Sequence, residues 1–331
     1  MSYNADLGSG PNNETAKTAG IARMTGEMPL LAIIGATASG KSALALELAR
    51  RIRGEILSVD SMQIYRGMDI GTAKPSEEER SEIPHHLIDV ADPNESYSAA
   101  RFIAAADAVI ADANRRGIRL IATGGTPMYF KALFHGLFDG PSADAAIRAE
   151  LSEVENEELH RRLIAVDADA ADRINIADRR RLIRALEVHK LTGRAISTLQ
   201  NQWDDSTPSR HPAVWIGLKW EKDAINRRIN ARVGRMMADG WPLEVRKLLQ
   251  DFPELSKTAA EATGYAELIE YARGRLELEE AEEKIKIATR QLARRQMKWF
   301  RRFANVHWLE GDRPLDQLVD DITKIADSGR I

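Results

Sequence analysis

Leu30-Leu31-Ala32-Ile33-Ile34-Gly35-Ala36-Thr37-Ala38-Ser39-Gly40-Lys41-Ser42 decides the architecture of this chain. Five consecutive apolar residues running into a glycine read as a short buried strand. The next eight residues, Gly35, Ala36, Thr37, Ala38, Ser39, Gly40, Lys41 and Ser42, match GxxxxGK[ST] completely. Ala43 to Arg50 then has the composition and length of a helix. Strand, glycine-rich turn and helix open a βαβ unit. In that setting, successive backbone N–H groups and the helix start form a concave anion site. Lys41 supplies a mobile positive charge to a terminal phosphate. Ser42 offers a hydroxyl to Mg²⁺, and Thr37 and Ser39 offer further hydrogen bonds. A bare glycine-rich turn with a surface lysine is the bland alternative, and the full motif in its full context sets it aside.

Working outward, Glu55-Ile56-Leu57-Ser58-Val59 is a second strand ending at Asp60, and Ile118 to Ala122 a third, ending at Thr123-Gly124-Gly125-Thr126. A helical stretch from about Ala99 to Arg115 and turn signals at Pro75, Pro84 and Pro93 separate them. Short strands alternating with helices predict an α/β fold, a P-loop NTPase-like parallel sheet with its ligand crevice at the carboxyl ends of the strands. From Ala145 to about Leu199 the pattern is helical, whereas Ala213 to Leu218 looks like a strand returning to the sheet. The expected organisation is a core of residues 29–144 and 206–331 with C-terminal helices, interrupted by a helical insertion at 145–205. Residues 1–28, rich in Gly, Asn, Thr and Ala, read as a disordered tail without the apolar segment of a secretory signal.

Composition narrows the function classes. The chain has 331 residues, 44% hydrophobic and 29% charged, which describes a globular protein large enough for about two domains. No window approaches the roughly 20 apolar residues of a membrane helix. The absence of cysteine excludes disulfides, thiolate zinc sites, iron–sulfur clusters and cysteine nucleophiles, and fits a reducing compartment. A net charge of -3 gives no global sign of a nucleic-acid partner, so the local distribution carries that question.

ATP is the usual occupant of such a loop. A nucleotide-hydrolysing motor normally places an Asp after a second apolar strand, and here the third strand ends in Thr123. That weakens the ATPase reading and leaves a small-molecule kinase open. Asp60 lies on the same rim as the phosphate loop, where a carboxylate can accept a proton from an attacking amine or hydroxyl. A helix cap, a turn aspartate or a magnesium ligand are the other readings of that position. Two basic patches stand out. Arg179-Arg180-Arg181 and Arg184 occupy little more than one turn, and Lys284 to Arg302 contains eight Lys or Arg residues and no acid. Ile285, Ala288, Leu292, Trp299 and Phe303 make an apolar stripe along the second run, with Gln296 in its middle. One such run is ordinarily a solvated amphipathic face, whereas two beside a phosphate-loop core point to nucleic acid. The remaining choice includes a noncatalytic RNA-binding protein. His85, His86, His160 and His189 show no metal-ligand spacing.

Taken in order, these segments resemble the tRNA dimethylallyltransferase (tRNA isopentenyltransferase) family of bacterial type, from about Leu31 to Trp308. Besides the phosphate loop they include Ser58 to Tyr65, Asp69 to Pro75, Pro84 to Asp89, Gly124-Gly125-Thr126, Arg181 to Glu187 and Arg294 to Arg301. The resemblance implies transfer of a dimethylallyl group from its diphosphate to the N6 amine of adenosine 37 beside a tRNA anticodon. Asp60 then matches the residue that deprotonates the amine. Residues 35–42, with Lys41 and Ser42 foremost, hold the diphosphate with Mg²⁺, and Arg232 joins that clamp. Asp60, Ser61, Met62, Gln63, Thr126, Arg148, Arg180, Arg181, Leu182, Ile183, Arg184, Arg295 and Gln296 fall at tRNA-contact positions. A cytoplasmic monomer working on the tRNA anticodon stem-loop, with no membrane association, is the expectation. Two positions depart from the family: Gly264-Tyr265 is flanked by Glu261 and Ala266 rather than a basic residue, and Pro127 follows Thr126. The zinc-finger extension of some eukaryotic relatives has no counterpart.

Overall fold

The computed structural model describes residues 28–138, 140–200 and 208–328. The expected tail therefore lies outside the described residues except for Met28, as do residues 201–205 of the expected insertion. Among the described residues, six strands form one parallel sheet: Leu30–Gly35 (β1), Glu55–Ser58 (β2), His85–His86 (β3), Leu120–Thr123 (β4), Ala213–Lys219 (β5) and Val306–Glu310 (β6). Their order is β3-β2-β4-β1-β5-β6, with Leu31 beside Ile121 of β4 and Ala32 beside Trp215 of β5. All six residues of β1 are buried, which explains why its apolar run is continuous rather than alternating: a central parallel strand is covered on both faces. The α/β sheet expected from the sequence is thus the one the chain adopts.

The boundaries shifted where turn hydrogen bonds compete with the ladder. The expected strand at Ile118 starts only at Leu120, because the Ile118 N–H is used on Ala113 O (2.9 Å) to close the helix Ala99–Arg116. On the sheet, the helices Lys41–Ile52 and Leu315–Ser328 share one apolar cluster with Leu31, Ile33, Ile121 and Ile216. A second cluster centres on Trp241, Tyr65 and Tyr265 and draws on helices Lys222–Ala238, Trp241–Asp251, Tyr265–Ala272 and Leu278–Phe300. In the last of these the buried stripe differs from the one read in the sequence. Ala281, Ile285, Ala293, Gln296 and Phe300 are buried, while Ala288, Leu292 and Trp299 are only partly covered. Gln296, read in the middle of that stripe, does face inward.

Phe134–Arg210 is a separate compact unit, and the described residues on either side of it form the other. Its described residues include five helices from Ala145–Ser152 to Ile196–Leu199, around a core of Leu151, Leu159, Leu163, Leu182 and Val188.

One close approach in the sheet tests this register. Gly217 of β5 lies beside Trp308 of β6, and a Cβ there would sit 2.4 Å from the indole ring. Gly217→Ala is expected to cost about 1–3 kcal/mol by overpacking. The measurement is a lowered urea midpoint with an unchanged m-value.

Candidate active site

The turn from β1 into helix Lys41–Ile52 is held in an unusual shape. Gly40 has φ 94° and Ala38 φ 62°, the latter in a region that costs a residue with a Cβ about 1–2 kcal/mol. Contacts from the far side hold it there. Arg228 Nε donates to Ala38 O (2.9 Å), Trp220 Nε1 donates to Ser39 O (3.0 Å), and the Arg228 guanidinium lies 4.4 Å over the Trp220 ring. Those bonds draw two carbonyls backwards, while the Thr37 N–H is taken by Gln296 Oε1 (2.8 Å) and the Ser39 N–H by Ala36 O (3.2 Å). The helix that follows has no side-chain cap and no acid in its first turn, so no side chain of its own competes for its free N–H groups. Ser39 Oγ is buried without a hydrogen-bond partner. An orphaned buried hydroxyl in such a cradle fits an anionic ligand. Ser42 is exposed at the second helical position. No group of three or more His, Cys, Asp or Glu able to hold a metal occurs among the described residues, so a divalent ion here would depend on Ser42 and on oxygens of the ligand.

Lys41 is only 8% exposed and donates to Ala36 O at 3.1 Å. Burial, followed by the nearby charge of Arg232, lowers its pKa to about 8, with the Asp60 carboxylate pulling the other way. Arg232 is partly buried, and its pKa is also lowered, by desolvation first and by Arg235 and Arg228, again opposed by Asp60. Lys41, Arg232 and Asp60, far apart in sequence, therefore share one electrostatic neighbourhood: two underneutralised cations beside one carboxylate.

Asp60 follows β2 and is fixed through both oxygens. Oδ1 accepts the Met62 N–H (2.9 Å), an Asx-type turn, and Oδ2 accepts the Gly125 N–H (3.1 Å). The Gly124-Gly125 pair is what allows β4's loop so close. A Cβ on Gly124 would lie 2.0 Å from Val59 O, and one on Gly125 would lie 3.0 Å from Asp60 Oδ2. Thr126 Oγ1 accepts the Ser61 N–H (2.9 Å) and donates to Ser61 Oγ (3.1 Å). Gln63 accepts from Ser58 Oγ (2.8 Å) and donates to the carbonyls of Thr72 and Ala73, pinning the segment that carries Asp60, Ser61 and Met62. Gln296 reaches in from helix Leu278–Phe300 to the phosphate loop and to Gly125. Of the basic run on that helix, Lys284 and Lys286 pair with Glu280, Glu282 and Glu283 in the preceding turns. Arg295 and Lys298 are exposed beyond that paired region.

The remaining predicted positions belong to the compact unit Phe134–Arg210. There Arg148 Nε and Arg184 Nη1 converge on the fully buried Glu187, at 2.8 and 2.6 Å, and Glu187 also accepts the Asp144 N–H (2.8 Å). Burial raises the Glu187 pKa, but the hydrogen bonds from Arg148, Arg184 and the Asp144 amide outweigh it, and the net direction is down. Leu182 is fully buried, so its side chain packs rather than faces solvent, whereas Arg181 is exposed.

Sequence reasoning missed Arg228 and Trp220, which shape the loop, and Glu244, whose carboxylate accepts the N–H groups of Asp69, Ile70 and Gly71 and the Tyr265 hydroxyl. Arg228 had a readable signal, lying one helical turn before Arg232. Glu244 had none. The buried lysine yields a prediction with a definite sign. Its folded pKa lies below the unfolded value, so the charged form destabilises the unliganded protein below pH 8, and the penalty fades as pH rises towards 10.5. Lys41→Met should stabilise the unliganded protein on the order of 2 kcal/mol at pH 7 and less at pH 9.5, while abolishing diphosphate binding. Urea unfolding at the two pH values and calorimetric titration with diphosphate check this.

The IPP transferase family matches residues 63–303, and the isopentenyl transferase family matches residues 28–90. A tRNA dimethylallyltransferase of Geobacter metallireducens is 46% identical over 88% of this chain and 96% of its own length. One from Anaeromyxobacter is 44% identical over 91% and 99%. Among solved structures, the tRNA isopentenylpyrophosphate transferase of Bacillus halodurans superposes with a TM-score of 0.69 at 39% identity, covering 92% of this chain and 97% of that one. A eukaryotic dimethylallyltransferase acting on tRNA gives 0.77 at 26% identity, covering 92% and 81%. The chain belongs to the IPP transferase family.

Proposed function

We propose that the protein transfers a dimethylallyl group from dimethylallyl diphosphate to the N6 amine of adenosine 37 in a tRNA anticodon loop, releasing diphosphate. Membership of the family makes it a transferase that places a prenyl group on tRNA. The single observation that carries the finer reading is an Asp60 carboxylate fixed by the Met62 and Gly125 amides within electrostatic reach of Lys41 and Arg232. A phosphoryl-transfer enzyme and an alkylating enzyme both need cations on the phosphates. An alkylation of an amine also needs a carboxylate where the nucleophile arrives.

In the reaction a bond forms from N6 to the allylic carbon as the carbon–oxygen bond to diphosphate breaks. The exocyclic amine is a weak nucleophile because its lone pair is delocalised into the ring. Asp60, oriented by the Met62 and Gly125 amides, holds the amine and takes its proton. The departing oxygens are met by the loop N–H groups, the Ser39 hydroxyl, Lys41 and Arg232, charges already in place before the bond breaks. Mg²⁺, held by Ser42 together with diphosphate oxygens, would neutralise part of that negative charge. A loop base is extruded into the pocket more cheaply than a duplex base. The exposed basic residues Arg295 and Lys298 suit phosphate contacts, and in the helical unit Glu187 presents Arg148 and Arg184 in a fixed orientation. No helix among the described residues is long and apolar enough to cross a membrane. A cytoplasmic monomer fits this reading.

Purified protein incubated with Mg²⁺, dimethylallyl diphosphate and unmodified tRNA should add one C5H8 unit to a single adenosine, read by nucleoside mass spectrometry. No mass increase, or ATP-dependent phosphorylation of a small molecule without tRNA, would overturn the proposal. Asp60→Asn should lower kcat by about 10²–10⁴-fold while tRNA affinity is retained in filter binding.

A further inference from the structure

Gln296 is a neutral amide set in the middle of a basic helix and turned away from solvent, 5% exposed. Its side chain makes two hydrogen bonds of opposite sense. Oε1 accepts the Thr37 N–H at 2.8 Å, and Nε2 donates to Gly125 O at 2.6 Å. The same Gly125 donates its own N–H to Asp60 Oδ2 at 3.1 Å. A chain of contacts therefore runs from the phosphate loop, through the Gln296 amide and then the two backbone polar groups of one residue, Gly125, to the carboxylate.

Two consequences follow. The Thr37 N–H is not available to a diphosphate, because it is already committed to a protein acceptor. Thr37 thus acts as the anchored edge of the phosphate loop; the Ser39 N–H is also taken, by Ala36 O (3.2 Å), so a ligand is left to the other amides of the turn. Second, a Cβ at Gly125 would lie 2.8 Å from Gln296 Nε2, so Gly125 is enclosed between this amide and Asp60. Neither a carboxylate nor a hydrocarbon at position 296 reproduces the pattern. A carboxylate keeps the Thr37 contact but opposes the Gly125 carbonyl, and a hydrocarbon leaves both backbone groups unsatisfied.

We infer that Gln296 is a positioning residue that sets the distance between the leaving-group loop and the base, rather than a reader of RNA. It touches neither reacting atom. It acts through Thr37 on the donor side and through Gly125 on Asp60. Because it sits on the helix that also carries Arg295 and Lys298, a polyanion docking on the exposed face of that helix bears on the element that sets this spacing. The helix Leu278–Phe300 is oriented to place Gln296, not Leu292 or Trp299, against the loop.

The inference rests on the prenyl-transfer reading of the site, and the test separates the two. Wild type, Gln296→Leu, Gln296→Glu, Asp60→Asn and the Asp60→Asn/Gln296→Leu pair are assayed for prenyl transfer at saturating tRNA and varied dimethylallyl diphosphate. Filter binding of tRNA and thermal unfolding are measured on each. An inactive wild type defeats the functional reading. With active wild type, Gln296→Leu should lower kcat by about 10–100-fold, as expected for sub-ångström misplacement, and Gln296→Glu at least as much, with tRNA affinity unchanged. On the Asp60→Asn background the Gln296→Leu change should cost less than it does in wild type, because the part of its effect carried by Gly125 runs through that carboxylate, while the part carried by Thr37 remains. Weakened tRNA binding with unchanged kcat would make Gln296 an RNA contact and overturn the inference. Losses that multiply fully in the double variant, or that track a lowered fraction of folded protein, would overturn it too.

Discussion

The buried ammonium of Lys41 is the constraint around which the rest of this site is arranged. It is desolvated, next to the guanidinium of Arg232, and supported in the unliganded protein only by Ala36 O and the field of Asp60. Every neighbouring feature has the same character. Ala38 is strained, Ser39 Oγ has no partner, and the helix start has no capping side chain. Each costs stability, and an anion with several oxygens, as proposed for this loop, would offset the desolvated ammonium, the orphaned hydroxyl and the uncapped helix start. A fold can hold such a site only where the surroundings are over-determined. Here β1 is fully buried between β4 and β5, and Arg228 and Trp220 grip the loop from behind.

The acceptor side follows a different physical logic. Asp60 needs a fixed direction, and it obtains this from two backbone amides. Those amides can approach because Gly124 and Gly125 carry no Cβ. Glu187 solves a related problem in the helical unit by a costlier route, since a buried carboxylate must be matched by two arginines to be tolerated. The gain is orientation: Arg148 and Arg184, flexible side chains by nature, are each tied at one edge.

Much of the fold was legible because its signals are local. The continuous apolar run of β1, the turn at residues 35–42 and the helix after it are covalent neighbours, so their spacing survives in the sequence. The return of the chain to the sheet at Ala213 was equally plain from a run of apolar residues. The basic helix shows where this stops. Its periodicity suggested a stripe through Leu292 and Trp299 with Gln296 in its middle; Gln296 does face inward, but Ala293 and Phe300 flank it there, and Leu292 and Trp299 are only partly covered. Periodicity reports that a face exists, and the partner decides which face it is.

The sequence by itself determined the phosphate loop, the parallel α/β core, the position of Asp60 at a strand end and the basic character of two helices. Those depend on short-range geometry and on residue chemistry. Only the tertiary structure decided that Lys41, Arg232 and Asp60 act on one another, that Glu187 binds Arg148 and Arg184, and that Thr37 and Gln296, 259 residues apart, share a hydrogen bond. Such contacts join groups whose separation along the chain is unrelated to their distance in space. No spacing rule encodes them, because packing of the helices against the sheet is what brings the groups within reach.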